Sequence, residues 1–249
     1  MGRSVIVVAH PDDEILWLSS VMERADPVVL CFGAPYGRPE KAASRARAVA
    51  HLGLPRLQNL ALPESGAKML VDWQAPQLTA TGIKTTDLEA QGRYDDNFLI
   101  LLEKLRPILT GASDVYTHNP WGEYGHTEHI QVYRAVKALQ AELRFTVWFS
   151  NYASSQTRAF ARQLGQEPLW QGKSSLPTDP KIARRLKKIY QTYQAWTWSD
   201  WHKWPGKETL YAQPYGTTEG WHTLQGEILY NAWGLRLWRP VWTAKWRMT

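Results

Sequence analysis

Residues 5 to 14 read Val-Ile-Val-Val-Ala-His-Pro-Asp-Asp-Glu, so an imidazole and three carboxylates follow directly on a short apolar run. Crowded at one point, His10, Asp12, Asp13 and Glu14 repel and desolvate one another unless a cation or a substrate is present. A second group lies far along the chain: His126-Thr127-Glu128-His129, after the loop Pro120-Trp121-Gly122-Glu123-Tyr124-Gly125. Histidines three apart share one helix face, so both can point into one crevice. His10, Asp13 and His129 together supply two imidazoles and one carboxylate, the three-ligand set of an open catalytic metal site. Each group alone also fits a plainer role. Asp12 or Asp13 can cap a helix, Glu14 can be solvated, His10 can be a turn residue, and the histidine pair can be structural.

The elements that must position these groups can be read from the pattern of the chain. Residues 5–9 are apolar and mostly β-branched, as in a strand buried on both faces of a parallel sheet. Pro11 disfavours helix at His10, while Asp12 and Asp13 suit the start of a short helix over 15–24. Residues 28–32 predict a second strand, 39–53 a helix ending at Gly53, and 57–62 a third strand. Residues 64–93 are polar, with Gly66, Pro76, Gly82 and Gly92, and are expected to form a long loop lining the substrate groove. An amphipathic helix is expected over 95–105, stopped by Pro107. A strand end is expected over 114–119. The helix opening at His126 carries Ile130, Val132, Tyr133, Val136 and Leu139 inward, and residues 144–152 read as the next strand. This alternation implies an α/β fold: a Rossmann-like, mostly parallel sheet with helices on both faces. In such sheets ligands bind at the carboxyl ends of the strands, where both groups fall.

Ala9-His10-Pro11-Asp12-Asp13-Glu14, with Gly125-His126-Thr127-Glu128-His129, resembles the PIG-L/LmbE family of metal-dependent N-deacetylases. That family includes N-acetylglucosaminyl-phosphatidylinositol de-N-acetylases, mycothiol- and bacillithiol-pathway deacetylases, and deacetylases acting on glycopeptide antibiotics. The resemblance extends to about residue 150. It implies that His10, Asp13 and His129 hold zinc, or Fe2+ or another divalent metal, which activates water and polarises the amide carbonyl. It implies Asp12 as general base and His126 as the group that stabilises or protonates the tetrahedral intermediate. Tyr124 matches a mobile tyrosine that contacts substrate in some members. Glu128 stands where many relatives carry Asp and would tune its neighbouring histidine; Glu14 is expected behind the ligands as well. The helix before Leu52-Gly53 departs from the family, carrying Lys41 and Ser44 where an Arg and a Glu are usual. Arg45 or Arg47 could take over a substrate contact there, and Trp121 is a further candidate. The implied reaction is hydrolysis of an N-acetyl group on an N-acetylhexosamine in a glycoconjugate or sugar intermediate.

Composition sets the remaining bounds. The 249 residues are 44% hydrophobic and 21% charged, enough for a sizeable core and against global disorder. The expected division is a catalytic core over 1–152 and an irregular, tryptophan-rich extension over 153–249. The single cysteine, Cys31, makes no internal disulfide, and the first apolar run ends in the histidine motif rather than a cleavage site. Both favour a cytoplasmic enzyme without a signal peptide. No apolar run approaches the roughly 20 residues of a transmembrane helix.

The net charge is +6, with Lys181, Arg184, Arg185, Lys187 and Lys188 clustered and Arg239, Lys245 and Arg247 near the C-terminus. A solvated helix face accounts for the cluster. Attraction to an anionic partner is the other reading, with a phosphorylated small-molecule or glycan substrate ahead of a lipid headgroup. No nucleic-acid motif accompanies the charge, so no nucleic-acid partner is expected. Eleven of fourteen tryptophans lie between Trp148 and Trp246, four of them at Trp196, Trp198, Trp201 and Trp204. They suit either a sugar-binding rim or the packing of an irregular subdomain or homo-oligomer interface. Glu219, His222 and Glu227 could approach the crevice. Two other functions compete with deacetylation: amidase action on a larger acyl group or thiol conjugate, and non-catalytic carbohydrate binding on a degenerate enzyme fold. An iron oxygenase shares the ligand set, but its residues normally sit on a β-sandwich, against the alternation seen here.

Overall fold

The computed structural model describes residues 2–232. In chain order, β1 (Arg3–Val8) leads into α1 (Asp13–Trp17) and a 3-10 turn over Ser19–Arg24, followed by β2 (Ala25–Ala34), α2 (Pro39–Ala50) and β3 (Leu57–Pro63). Then come α3 (Leu88–Leu109), β4 (Ala112–Thr117), α4 (Thr127–Leu143), β5 (Thr146–Ser150) and β6 (Tyr152–Ala153). The remainder is α5 (Arg158–Leu164), β7 (Gly172–Pro177), α6 (Pro180–Thr192), β8 (Lys207–Gln213) and β9 (Tyr230–Asn231).

Seven strands form one sheet in the order β3-β2-β1-β4-β5-β8-β7. The first five are parallel, while β8 joins β5 and β7 joins β8 antiparallel. The chain leaves β1 toward β2 and β3, then crosses back to place β4 on the other side of β1. That reversal opens a crevice beyond the carboxyl ends of β1 and β4. The period-2 side-chain alternation of β1 feeds two cores. Val5, Val7 and Ala9 pack with residues of α3 and α4 such as Tyr94, Leu101, Ile130 and Val136. Ile6 and Val8 pack with Trp17, Ala48, Leu52, Leu186 and Tyr190 from α1, α2, α6 and their flanks. With both faces covered, β1 has no solvated side, which explains its unbroken apolar sequence.

Two helix expectations change. The helix expected over 95–105 begins earlier, because Asp87 caps it by accepting a hydrogen bond from the Ala90 N–H at 2.7 Å. It also runs past Pro107 to Leu109, since a proline in the last turn removes one hydrogen bond without ending the helix. The helix expected over 15–24 ends at Trp17 and continues as a 3-10 turn. The segment beyond residue 152 adds β8 and β7 to the same sheet and lays α6 on the face of α1 and α2. Arg239, Lys245, Arg247 and Trp246 lie outside the described residues. No helix among the described residues is long and apolar enough to cross a membrane.

Candidate metal centre and active site

β1 ends at Val8, and the chain turns through His10 and Pro11 into α1. Asp12, the residue before that helix, has a left-handed backbone, φ 95°. Asp tolerates this region better than bulkier residues, and here the turn aims three consecutive acids in different directions. Asp13 is the hub. Its Oδ2 lies 3.1 Å from His10 Nδ1 and 3.2 Å from His129 Nε2, and accepts the His10 backbone N–H at 2.8 Å. Its Oδ1 accepts from the Trp17 indole at 2.9 Å. Two atoms each bound to one tetrahedral zinc lie about 3.4 Å apart, given metal–ligand bonds of about 2.1 Å, so these spacings suit ligands of a common ion. On these spacings the candidate ligand atoms are Asp13 Oδ2, His10 Nδ1 and His129 Nε2, and His129 Nε2 is buried without a hydrogen-bond partner among the described residues. His10 Nε2, on the other side of its ring, is buried without one too. Glu64 Oε1, 3.4 Å from His10 Nε2, is at ion-pair distance but lacks hydrogen-bond geometry. A buried carboxylate oxygen flanked by two imidazole nitrogens, one of them orphaned, is a donor set a divalent cation takes, so the residues fit the group.

His118 and Glu123, which the sequence reading passed over, complete the centre. Glu123 is fully buried, and its Oε2 lies 2.7 Å from His129 Nδ1 and 3.0 Å from His118 Nδ1. A carboxylate on the far nitrogen of a ligating histidine fixes its tautomer and orientation. His118 Nε2, 3.5 Å from Asp13 Oδ2, resembles a further ligand by distance, yet it accepts the Ala9 N–H at 2.8 Å. Its lone pair is therefore engaged, and His118 braces the end of β1 against β4. The signal for both residues was their position at the carboxyl end of β4, the strand beside β1.

Electrostatics agree with a cation site. Burial alone would lower the His129 imidazole, but Asp13 and Glu123 on its two sides hold it up at about 9. Burial would likewise raise Asp13, yet the His129 charge and the His10 hydrogen bond hold it well below the usual carboxylate range. Asp12 lies off this cluster. Burial, and then the charge of Asp13, push it up to about 7, against two hydrogen bonds from Thr197.

His126 precedes α4, with its ring centroid 4.4 Å from that of His10 and 4.8 Å from that of His129. Gly122 makes this approach possible: its φ is +69°, and a Cβ there would lie 2.7 Å from the His126 carbonyl oxygen. Burial first, and then the charges of His10 and Lys68, hold the His126 imidazole well below its usual range, so it is neutral at neutral pH. Glu128 Oε2 stands 3.1 Å from His126 Nδ1, while its Oε1 accepts from the Ser65 N–H and hydroxyl at 3.1 and 2.7 Å. The start of the long segment over 64–93 thus reaches the site, with Glu64 bound to Arg45 at 2.7 Å. Tyr124 lies at the mouth, its ring 5.3 Å from His129 and 5.0 Å from Trp198, with Lys68 Nζ 5.0 Å from its centroid.

Glu14 supports the turn from behind. It accepts the Asp12 N–H at 3.0 Å and the Tyr190 hydroxyl at 2.7 Å. Burial raises it to about 8, with the Tyr190 bond opposing and the Asp12 charge adding. The folded value lies above the unfolded one near 4.5, so the folded state keeps this proton longer and stability falls as pH rises from about 4.5 to about 8. Asp12 acts with the same sign up to about 7. In metal-free protein, Glu14→Gln should flatten the decline in melting temperature between pH 5 and 8. An undiminished slope would assign the decline to other groups.

The remaining candidates are placed as follows. Arg45 is buried against Glu64 beside His10, whereas Arg47 is exposed and donates to Ser44 Oγ at 3.3 Å. Trp121 is 0% exposed, its indole donating to the Tyr152 carbonyl and its ring edge-on to Phe149, so it faces the core rather than a substrate. Of the tryptophan group, Trp198 packs on Tyr124 and on Trp17, Trp204 donates to the Ile15 carbonyl, and Trp201 is 89% exposed. Glu227 binds Lys173 and Tyr211, His222 packs on Trp170, and the Glu219 carbonyl accepts from Gln171; all three are engaged around the β7–β8 end of the sheet. In the basic cluster, Lys187 is buried and donates to the Asp200 carbonyl at 2.7 Å, while Lys181, Arg184, Arg185 and Lys188 are exposed.

The fold is similar to that of proteins of known structure. Among solved structures, a deacetylase of the teicoplanin biosynthesis pathway, in complex with teicoplanin, matches with a TM-score of 0.54 at 13% identity, covering 87% of this chain and 100% of that one. The zinc-inhibited form of a teicoplanin deacetylase matches with a TM-score of 0.54 at 13% identity, covering 84% and 97%. A third structure from the same pathway, a deacetylase–bog complex, gives 0.53 at 14% identity over 84% and 97%. At these identities the likeness is one of fold. No curated protein matches. The family described as PIG-L, GlcNAc-PI de-N-acetylase, matches residues 5–140, more than half of the chain and every residue of the metal centre. The chain therefore belongs to the PIG-L family.

Proposed function

We propose that this protein is a zinc-dependent hydrolase that removes the N-acetyl group from an N-acetylhexosamine in a glycoconjugate or sugar intermediate. The observation that carries the reading is the buried Asp13 carboxylate flanked by His10 Nδ1 at 3.1 Å and His129 Nε2 at 3.2 Å, with a separate buried carboxylate, Asp12, next to it in the chain. Zinc, when held by these three residues, supplies a Lewis acid for the amide carbonyl and lowers the pKa of the attacking water. Asp12 takes the proton from that water, a task suited to a carboxyl raised toward neutrality. The tetrahedral intermediate collapses when the C–N bond breaks and the departing nitrogen gains a proton, giving acetate and a free amine. The proton it gains is the one Asp12 took from the water, and His126 is assigned to stabilise the intermediate: the neutral imidazole keeps one N–H to donate to the oxyanion. Tyr124 and Trp198 offer aromatic faces to a sugar ring at the mouth. Arg45 is the nearer of the two candidate arginines, and a phosphorylated sugar would suit the positive charge of Arg45 and Lys68.

The test is metal analysis of the purified protein, with a screen for acetate released from N-acetylated sugars in free, phosphorylated and nucleotide-linked forms. Chelation should abolish release and one equivalent of Zn2+ should restore it. Release that survives exhaustive chelation would refute the reading.

A further inference from the structure

We propose that Thr197, from the extension beyond the family match, is a positioning residue that holds the Asp12 carboxylate in its working orientation. This rests on the reading of Asp12 as general base. Two donors of Thr197 converge on one oxygen: the hydroxyl reaches Asp12 Oδ2 at 2.7 Å and the backbone N–H reaches it at 3.0 Å. Oδ1 accepts no hydrogen bond among the described residues, so the pair of bonds leaves that oxygen to the reaction. The restraint matters because Asp12 leaves the chain from a left-handed backbone. Its N–H is tied down by Glu14, but nothing on its own loop fixes the side-chain rotamer.

Thr197 is itself held firmly. Trp198 packs edge-on to Trp17 at 5.4 Å and against Tyr124 at 5.0 Å, and Trp204 donates to the Ile15 carbonyl at 2.5 Å. Lys187 Nζ binds the Asp200 carbonyl at 2.7 Å, fastening the same loop to α6. The family match ends at residue 140, so the residues that orient the base come from a part of the chain that the signature does not include.

Thr197→Val keeps the volume and the backbone bond but removes the hydroxyl donor. Measured by acetate release, it should lower kcat about tenfold to a hundredfold, the range expected when a catalytic group is misplaced by about an ångström, with KM within twofold. Thr197→Ser should recover most of the loss. Zinc content should match the unmodified protein. In Asp12→Asn, adding Thr197→Val should cost almost nothing further, because both act on one step. A readout without metal follows the bond itself: Thr197→Val should lower the melting temperature of metal-free protein, but not in an Asp12→Ala background. If Thr197 only anchors the loop, Thr197→Val raises KM and leaves kcat alone, which overturns the proposal. So does a melting temperature that falls equally in both backgrounds. Normal turnover by Asp12→Asn would instead overturn the reading of Asp12, and this inference with it.

Discussion

Asp12→Asn is expected to fold, to bind metal as the unmodified protein does, and to lower kcat by about a hundredfold to ten-thousandfold, the usual contribution of a general base. Folding should survive because Asn tolerates the φ of 95° and its carbonyl oxygen can still accept both bonds from Thr197. Metal binding should survive because Asp13, not Asp12, faces His10 and His129. The substitution also removes a buried charge beside Asp13. Above pH 7, where Asp12 ionises at a cost in the folded state, metal-free Asp12→Asn should be at least as stable as the parent. Turnover, zinc content and melting temperature measured on one preparation check all three. A variant that loses zinc with activity would mean that Asp12 serves the metal rather than the water.

Glu123→Ala should act through the opposite property, disrupting the centre without touching substrate. It leaves the Nδ1 atoms of His118 and His129 and the Asn119 N–H buried and unpartnered. Breaking a buried charged network of this kind costs about 3–5 kcal/mol. Loss of the carboxylate behind a ligating histidine weakens metal binding by about tenfold to a hundredfold. Glu123→Gln separates the two effects, since it preserves the volume and one acceptor while removing the charge. It should keep most of the stability and still bind zinc more weakly, as read by competition with a chromophoric chelator. Burial would raise the Glu123 carboxyl, but His118 and His129 hold it below its ordinary value. Its stabilising effect is therefore present above about pH 4.5 and lost as pH falls through the lower folded value. Zinc affinity equal to the parent in Glu123→Gln would exclude Glu123 from tuning the centre.

Local sequence already determined much of this protein. The apolar run at Val5–Ala9, the break at Pro11 and the acids that follow are consequences of bonded neighbours, so the strand, the turn and the carboxyl-end position of His10 and Asp13 could be read directly. The alternation of strands with helices is a periodic property that a linear chain displays, whereas His126, expected on one helix face with His129, stands just before α4 with an extended backbone. The start of α3 was hidden because Asp87 sits in a polar stretch without periodic apolar residues, and capping is decided by a single hydrogen bond.

Tertiary structure alone decided the rest. That Glu123 reaches His118 and His129 together depends on β4 lying next to β1. Trp121 is a candidate substrate contact by its place in a loop with two glycines, but its indole donates to the Tyr152 carbonyl inside the core. The tryptophan-rich extension divided its rings between the mouth, the core and solvent according to how β8 and α6 dock. Thr197 meets Asp12 across 185 positions of chain, and no spacing rule reaches so far. Short-range sterics and periodicity are written into neighbouring residues, whereas the partners of a buried polar group are chosen by whichever distant segment the packed core brings alongside.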